Sequence, residues 1–480
     1  MGHQLKIITT RVVQHAKGES NMQTLHRNIQ KLTLHPVSTL LTAILLCGAG
    51  VHAQAAITAE EAARLGTELT PIGADPAGNA AGTIPPWTGG LTTPPPGFKP
   101  GGDYINPFAD EKPLYVITAA NMAEHEEHLT EGTKALLKQF PDTYKLPVYT
   151  SHRTAALPEH IYEQIKIDAQ SVQLIENGDG ISNVGTGRIP FPIPKTGVEL
   201  MWNLGNRYFG DDLVMNSSNF PVQSNGSYTA VKTRQWKAWA PALFDDEEFG
   251  IKVFYEMFSP ASVTGLKIIT HEPNNMAKTP RQTWTFNPGQ RRVLRAPEIS
   301  YDTPISGSDG LVTNDATDCF TGSKDRYDWT LVGKQEMIIP YNNYDLNANS
   351  TPVADIIGPK HINPDFTRYE LHRVWVVDAN LREGKRNIFS KRRFYFDEDS
   401  YNCSGADMYD GRDELWRVIV PSTIQMYDHP VMMMRAEAHY DLQANRYYAG
   451  YVSNGDAPWT FNNNARTSEF TTNKLRRAGH

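Results

Sequence analysis

From about residue 228 onward one β-like run follows another, and this succession limits the fold more than any other feature of the chain. Residues 250–258, 262–272, 328–340, 369–379, 386–398, 414–428, 432–442 and 446–454 are rich in Val, Ile, Tyr, Phe and Trp, with turns between them. Successive strands joined by short turns fold as an antiparallel meander. No strand here alternates with a helical period, which disfavours a parallel doubly wound sheet. The clearest piece is the hairpin at 281–297. Trp284 and Phe286 share one strand face while Thr283 and Thr285 share the other. Asn287-Pro288-Gly289-Gln290 supplies the turn, with Pro288 presetting φ and Gly289 free to take a positive one. The returning strand carries Arg291, Arg292 and Arg295, so guanidinium lies beside an aromatic face. Two readings follow: a surface hairpin with one face on the core, or the lip of an apolar cup with the arginines at its rim.

So wide a sheet has to curl or be covered, because a bare apolar face and open edges aggregate. The cover is expected from helices at 119–140, 158–175 and 196–205, which precede the strands. Before them, Thr58 and Glu61 form a capping box on a short helix. A Pro- and Gly-rich arm follows to about residue 118, with Trp87, Phe98, Tyr104 and Phe108 as its attachment points to the body. The expected division is a leader at 1–55, helix and arm at 56–118, a helical cover at 119–227, the sheet at 228–460 and a polar tail at 461–480. The fold class is α+β, mainly antiparallel β, as a wide curved sheet or half-open barrel.

Residues 37–47 form a strongly apolar run, and Ala53-Gln54-Ala55 behind it reads as a cleavage site after Ala55. The run is too short to span a bilayer, which takes ~20 apolar residues. The expectation is a secreted chain, placed in the periplasm. Cys319 and Cys403 can form one disulfide in such a compartment, or stay as two buried thiols. A net charge of −7 without a long Lys/Arg run argues against nucleic acid as a partner.

Motifs for chemistry are sparse. Glu124-His125-Glu126-Glu127-His128 is one residue short of a zinc-protease spacing and reads as a solvated helical face. Asp397, Asp399, Asp407, Asp410 and Asp413 break the calcium-loop pattern and read as a turn of solvated acids, with Arg392 and Arg393 available to pair with them. No metal or cofactor is expected, and no constellation forces an enzyme reading.

Several stretches together carry a resemblance: 66–91, 188–203, the hairpin, 326–342, 368–379 and 392–400. They resemble a secreted Gram-negative family known as a domain of unknown function, number thirteen twenty-nine, over nearly all of the mature chain. Tyr401 stands where that family's pattern has Trp, and Cys319 and Cys403 where it has apolar residues. The resemblance implies a fold like the periplasmic lipoprotein carriers LolA and LolB, a half-open barrel around an apolar cavity. It further implies a non-enzymatic carrier or accessory factor for a lipid or other hydrophobic molecule, working with an inner-membrane transporter and an outer-membrane protein. Trp284, Phe286, Leu294, Phe254, Trp375 and Phe396 are the candidate lining, and Arg291, Arg292 and Arg295 the polar rim. The alternatives are a ligand-free adaptor that binds a membrane protein through the arm, and a hydrolase of envelope or hydrophobic substrates.

Overall fold

Two antiparallel meanders meet strand to strand in the computed structural model, which describes residues 57–296 and 301–477. The first comprises β5 (Asp212–Val222), β6 (Val231–Trp239), β7 (Phe249–Met257), β8 (Lys267–Pro273), β9 (Gln282–Asn287) and β10 (Arg292–Arg295). The second comprises β11 (Tyr327–Pro340), β12 (Tyr369–Leu381), β13 (Lys391–Asp397), β14 (Cys403–Tyr409), β15 (Leu415–Met426), β16 (Val431–Asp441) and β17 (Arg446–Val452). β17 pairs antiparallel with β5, Tyr447 opposite Val222, and so fuses the meanders into a 16-stranded sheet. Its remaining members are the short β1 (Tyr115–Ile117), β2 (Leu146–Tyr149) and, at the other end of the chain, β18 (Thr460–Phe461). β2 runs parallel to β12, and β3 (Gln173–Ile175) and β4 (Gly180–Ser182) form a separate pair. The large sheet is open, running from β1 at one edge to β10 at the other.

Coverage is shared more widely than the sequence suggests. Helices α3 (Glu159–Asp168) and α4 (Gly197–Asn206) put Ile161, Ile165, Leu200 and Leu204 against Val377, Phe394 and Ile419 of the second meander. Helix α2 (Glu131–Gln139) takes the opposite face, where Leu136 and Leu137 meet Val418 and Tyr440. Val418 and Ile419 are neighbours on β15, so the two-residue period of that strand sends one to each layer. The expected helix at 119–140 is broken at Thr130, which caps α2 by accepting from the Thr133 amide at 3.0 Å. Residues Met122–His128 before it form a 3-10 helix. The helix expected over 158–175 stops at Asp168, and Gln173–Ile175 turn into β3.

The sheet also begins earlier than residue 228, with β5 and the short strands before it. At the hairpin tip, Asn287 accepts the Arg291 amide at 2.9 Å and the positive φ falls on Arg291, at 49°, not on Gly289. That is a type I turn closed by a left-handed residue, a common four-residue hairpin solution. The arm lies on the body through Trp87, whose indole donates to the Ala155 carbonyl at 3.1 Å, and Tyr104, whose hydroxyl donates to Asp428 at 2.6 Å. Phe108 stacks on His152 at 4.2 Å. No helix among the described residues is long and apolar enough to cross a membrane. The expected leader with its cleavage site lies outside the described residues.

Candidate functional site

The first meander has two covered faces of opposite character. On one, the register aligns Trp236, Phe254, Ile269 and Trp284 into a row across β6, β7, β8 and β9. Phe470 and Leu475 of the C-terminal segment cover that row, with Phe286 in the same cluster. The cover is pinned by polar bonds. Asp212, buried at the start of β5, accepts from the Asn463 and Ala465 amides at 3.0 and 2.9 Å, and the Phe470 carbonyl lies 2.9 Å from His271 Nε2. Residues 461–477 are therefore part of the packed body: Phe470 is 1% exposed and Leu475 0%.

The other face holds a hollow of about 1070 Å³. Its floor is built of cross-strand rows. One row is Lys237, Val253, Thr270 and Thr283, the next is Gln235, Tyr255, Ile268 and Thr285, and Ser217 with Thr233 and Met257 completes it. Residues 301–326 bring Tyr301, Ile305, Val312 and Phe320 over it as a wall, while Tyr448 and Tyr451 close one end. The wall is tethered at Cys319. This residue is disulfide-bonded to Cys403 of β14, and its amide donates to Glu437 at 2.8 Å. Beside it, Asp318 pairs with Arg207 and lies 3.8 Å from Lys237.

Electrostatics in the hollow are set by burial and by these pairs. Burial pushes the Asp318 carboxyl up, but Arg207 and Lys237 outweigh it and hold it below its usual range. Lys237 is pulled down by burial in spite of Asp318. Burial also pulls down Arg281, yet Glu272, 2.6 Å away, more than offsets it. Tyr255 is pushed up to about 12 by burial, with Thr233 and Asn219 opposing. The arrangement can enclose a molecule with an apolar body, offer it hydroxyl and amide groups, and keep its own charges paired.

A family model described as Protein of unknown function (DUF1329) matches residues 116–476. The chain belongs to the DUF1329 family. It is 42% identical over 431 residues to the uncharacterized protein PA3922 of Pseudomonas aeruginosa, covering 88% of this chain and 94% of that one. Three solved structures resemble it more distantly. A domain assigned to outer membrane lipoprotein sorting from Vibrio parahaemolyticus has a TM-score of 0.41 at 16% identity, over 58% of this chain and 98% of that one. A DUF1329 protein from Desulfovibrio piger scores 0.40 at 13% identity, over 58% and 97%. A LolA superfamily protein from Nitrosomonas europaea scores 0.35 at 11% identity, over 58% and 100%. At such scores, what this DUF1329 chain holds has to be read from its own cavity.

The residues singled out in the sequence are dispersed by the fold. Trp284, Phe286 and Phe254 come together, but on the face under the C-terminal segment rather than on the hollow. The threonines between them line the hollow instead. Phe396 and Trp375 face each other on β13 and β12 in the principal core of this DUF1329 chain. Leu294 is half exposed, and Arg291, Arg292 and Arg295 are exposed on the tip and edge strand β10, where charge discourages edge-to-edge pairing.

The acids read as solvated are largely buried. Asp397, Glu398 and Asp399 sit with Arg153, which donates to both Asp399 oxygens at 2.7 Å, while Arg373 and Lys334 bind Glu398 at 2.6 and 2.7 Å. Arg392 and Arg393 pair elsewhere, with Asp315 and Asp378. His372, Asp397 and Asp399 place ligand atoms within 4.8 Å of one another, but His372 Nε2 is engaged with Glu370 at 3.0 Å and Arg153 already supplies the cation. His125 stacks on Tyr115 at 4.8 Å and His128 Nδ1 meets the Glu336 carbonyl at 2.8 Å, so both histidines of the near-zinc motif have structural partners.

Proposed function

We propose that this chain binds a hydrophobic or amphipathic small molecule in the hollow of the first meander and serves in the periplasm as its carrier, between an inner-membrane transporter and an outer-membrane protein. The observation that carries the reading is the hollow: about 1070 Å³, at the large end of small-molecule sites, bounded by strands on one side and a disulfide-tethered wall on the other. Ile251, Val253, Met257 and Ile268 give it apolar surface. Sheltering a chain there gains about 0.8 kcal/mol per buried methylene, so an extended apolar body could be drawn from a membrane. The leader-like run at 37–47 supports export. The attachment of the arm to the body through Trp87, Tyr104 and Phe108 makes it a poor free hook for an adaptor.

The test is native mass spectrometry of protein isolated from the cell envelope without detergent, alongside a Thr270→Trp, Thr283→Trp, Thr285→Trp variant that obstructs the floor of the hollow. The expected result is a stoichiometric adduct on the wild type that the folded variant lacks. An adduct of equal occupancy on both, or a bare mass that persists after incubation with envelope lipids, would contradict the reading.

A further inference from the structure

We propose that the hollow selects an uncharged amphiphile with a hydroxyl-bearing head over an anionic lipid or fatty acid; this rests on the hollow being the binding site. The cations facing it are already engaged. Lys237 lies 3.8 Å from Asp318, Arg281 is 2.6 Å from Glu272, and Lys385 is 2.6 Å from Asp325. Arg382 pairs with Asp328 at 2.8 Å, and Arg326 donates to the Arg386 carbonyl at 2.7 Å while lying over the Tyr301 ring. At Lys237 and Arg281, whose pairs are largely buried, an anionic head would have to displace a carboxylate and leave it poorly compensated, which is costly where water is excluded.

Neutral hydrogen-bonding groups, in contrast, have capacity to spare. Thr270 and Thr283 meet hydroxyl to hydroxyl at 3.3 Å, and one hydroxyl–hydroxyl bond leaves each oxygen further lone pairs. Gln235 Oε1 is enclosed and makes no hydrogen bond among the described residues. Neighbouring strands are about 4.8 Å apart, so the row Gln235, Tyr255, Ile268, Thr285 offers polar groups at intervals with an apolar side chain between them. That spacing suits a head with several hydroxyls joined to an apolar body.

The test uses the mature protein and three probes of equal chain length that differ in head charge: dodecyl maltoside, laurate and dodecyltrimethylammonium, each titrated below its micelle concentration by calorimetry. The maltoside is expected to bind at least about tenfold tighter than laurate. The isosteric triple variant Thr270→Val, Thr283→Val and Thr285→Val is expected to lose about tenfold or more for the maltoside, since each hydrogen bond contributes a modest factor. Its laurate affinity should change little. The single variant Gln235→Met, expected to lose about threefold for the maltoside, serves if the triple variant fails to fold. Laurate binding as tightly as the maltoside, or unchanged maltoside affinity in the folded variants, would overturn the proposal while leaving the hollow as a binding site. Failure of all three probes to bind would count against the hollow itself and the proposal with it.

Discussion

Phe286→Ala separates the two faces of the first meander. Phe286 is 5% exposed, lies across from Val293, and belongs to the cluster that Phe470 and Leu475 seal. Truncating a buried phenylalanine costs about 3–5 kcal/mol, part of it from the space left behind. The lower part of that range is expected here, because the C-terminal segment can settle toward the gap. Thr285 and Thr283 stay in place on the hollow, so ligand affinity should change by less than about threefold. Urea unfolding gives the stability change, and titration with the co-purified molecule gives the affinity. Hydrogen exchange should report faster opening of residues 461–477, including the amides of Asn463 and Ala465 that bond to Asp212. Lost binding with unchanged stability would refute this assignment of faces and restore the aromatic row as the lining.

Two further perturbations probe parts that hold the site. Asp407 on β14 accepts from the Gly132 amide and the Tyr395 hydroxyl, both at 3.0 Å, and burial pushes its carboxyl up to about 7 in spite of those bonds. Between its ordinary value of 3.8 and about 7 the folded chain keeps a proton that the unfolded chain releases, so Asp407 makes stability fall as pH rises through that window. Asp407→Asn can accept the Gly132 amide through Oδ1 and donate Nδ2 to the Tyr395 hydroxyl without the charge, and chemical denaturation against pH should show it gaining on the wild type by up to ~4 kcal/mol over the same window; parallel pH profiles would contradict this. Cys319 and Cys403 are 84 residues apart, so opening their bond in the Cys319→Ser, Cys403→Ser pair should lower stability by about 4–5 kcal/mol on the loop-entropy model, measured by thermal unfolding. Residues 301–326 should also become more open to proteolysis; unchanged cleavage there would show that Glu437 and Arg207 hold the wall unaided.

Most of the strands were legible because Val, Ile and aromatic residues recur at a period of two, and the hairpin because its turn carries Pro and Gly. β5 and β14 were hidden for a physical reason. The inward residues of β5 include Ser217 and Asn219, polar because they face the hollow, and β14 reads Cys-Ser-Gly-Ala-Asp-Met-Tyr because it buries Asp407 and leaves little room for large side chains. Alternation told which residues share a face, never which face meets the hollow. Trp284 and Phe286 attract attention as a lining, but an aromatic row needs a dry cover, and Ala465, Phe470 and Leu475 of a largely polar tail supply it. The acids after β13 looked solvated because their partner Arg153 lies 246 residues from Asp399. Arg291, Arg292 and Arg295, expected as a polar rim, are exposed on the hairpin tip and edge strand and do not line the hollow, since alternation within one hairpin does not tell which end of the sheet it caps.

The most direct test of the central claim is a crystal structure of the protein with its co-purified molecule. Density is expected in the hollow, against Thr270, Thr283 and Tyr255 and beneath Tyr301 and Phe320, with the C-terminal segment still seated on Trp284 and Phe286. Density in place of Phe470 and Leu475, on the aromatic row, with only water in the hollow, would contradict the claim.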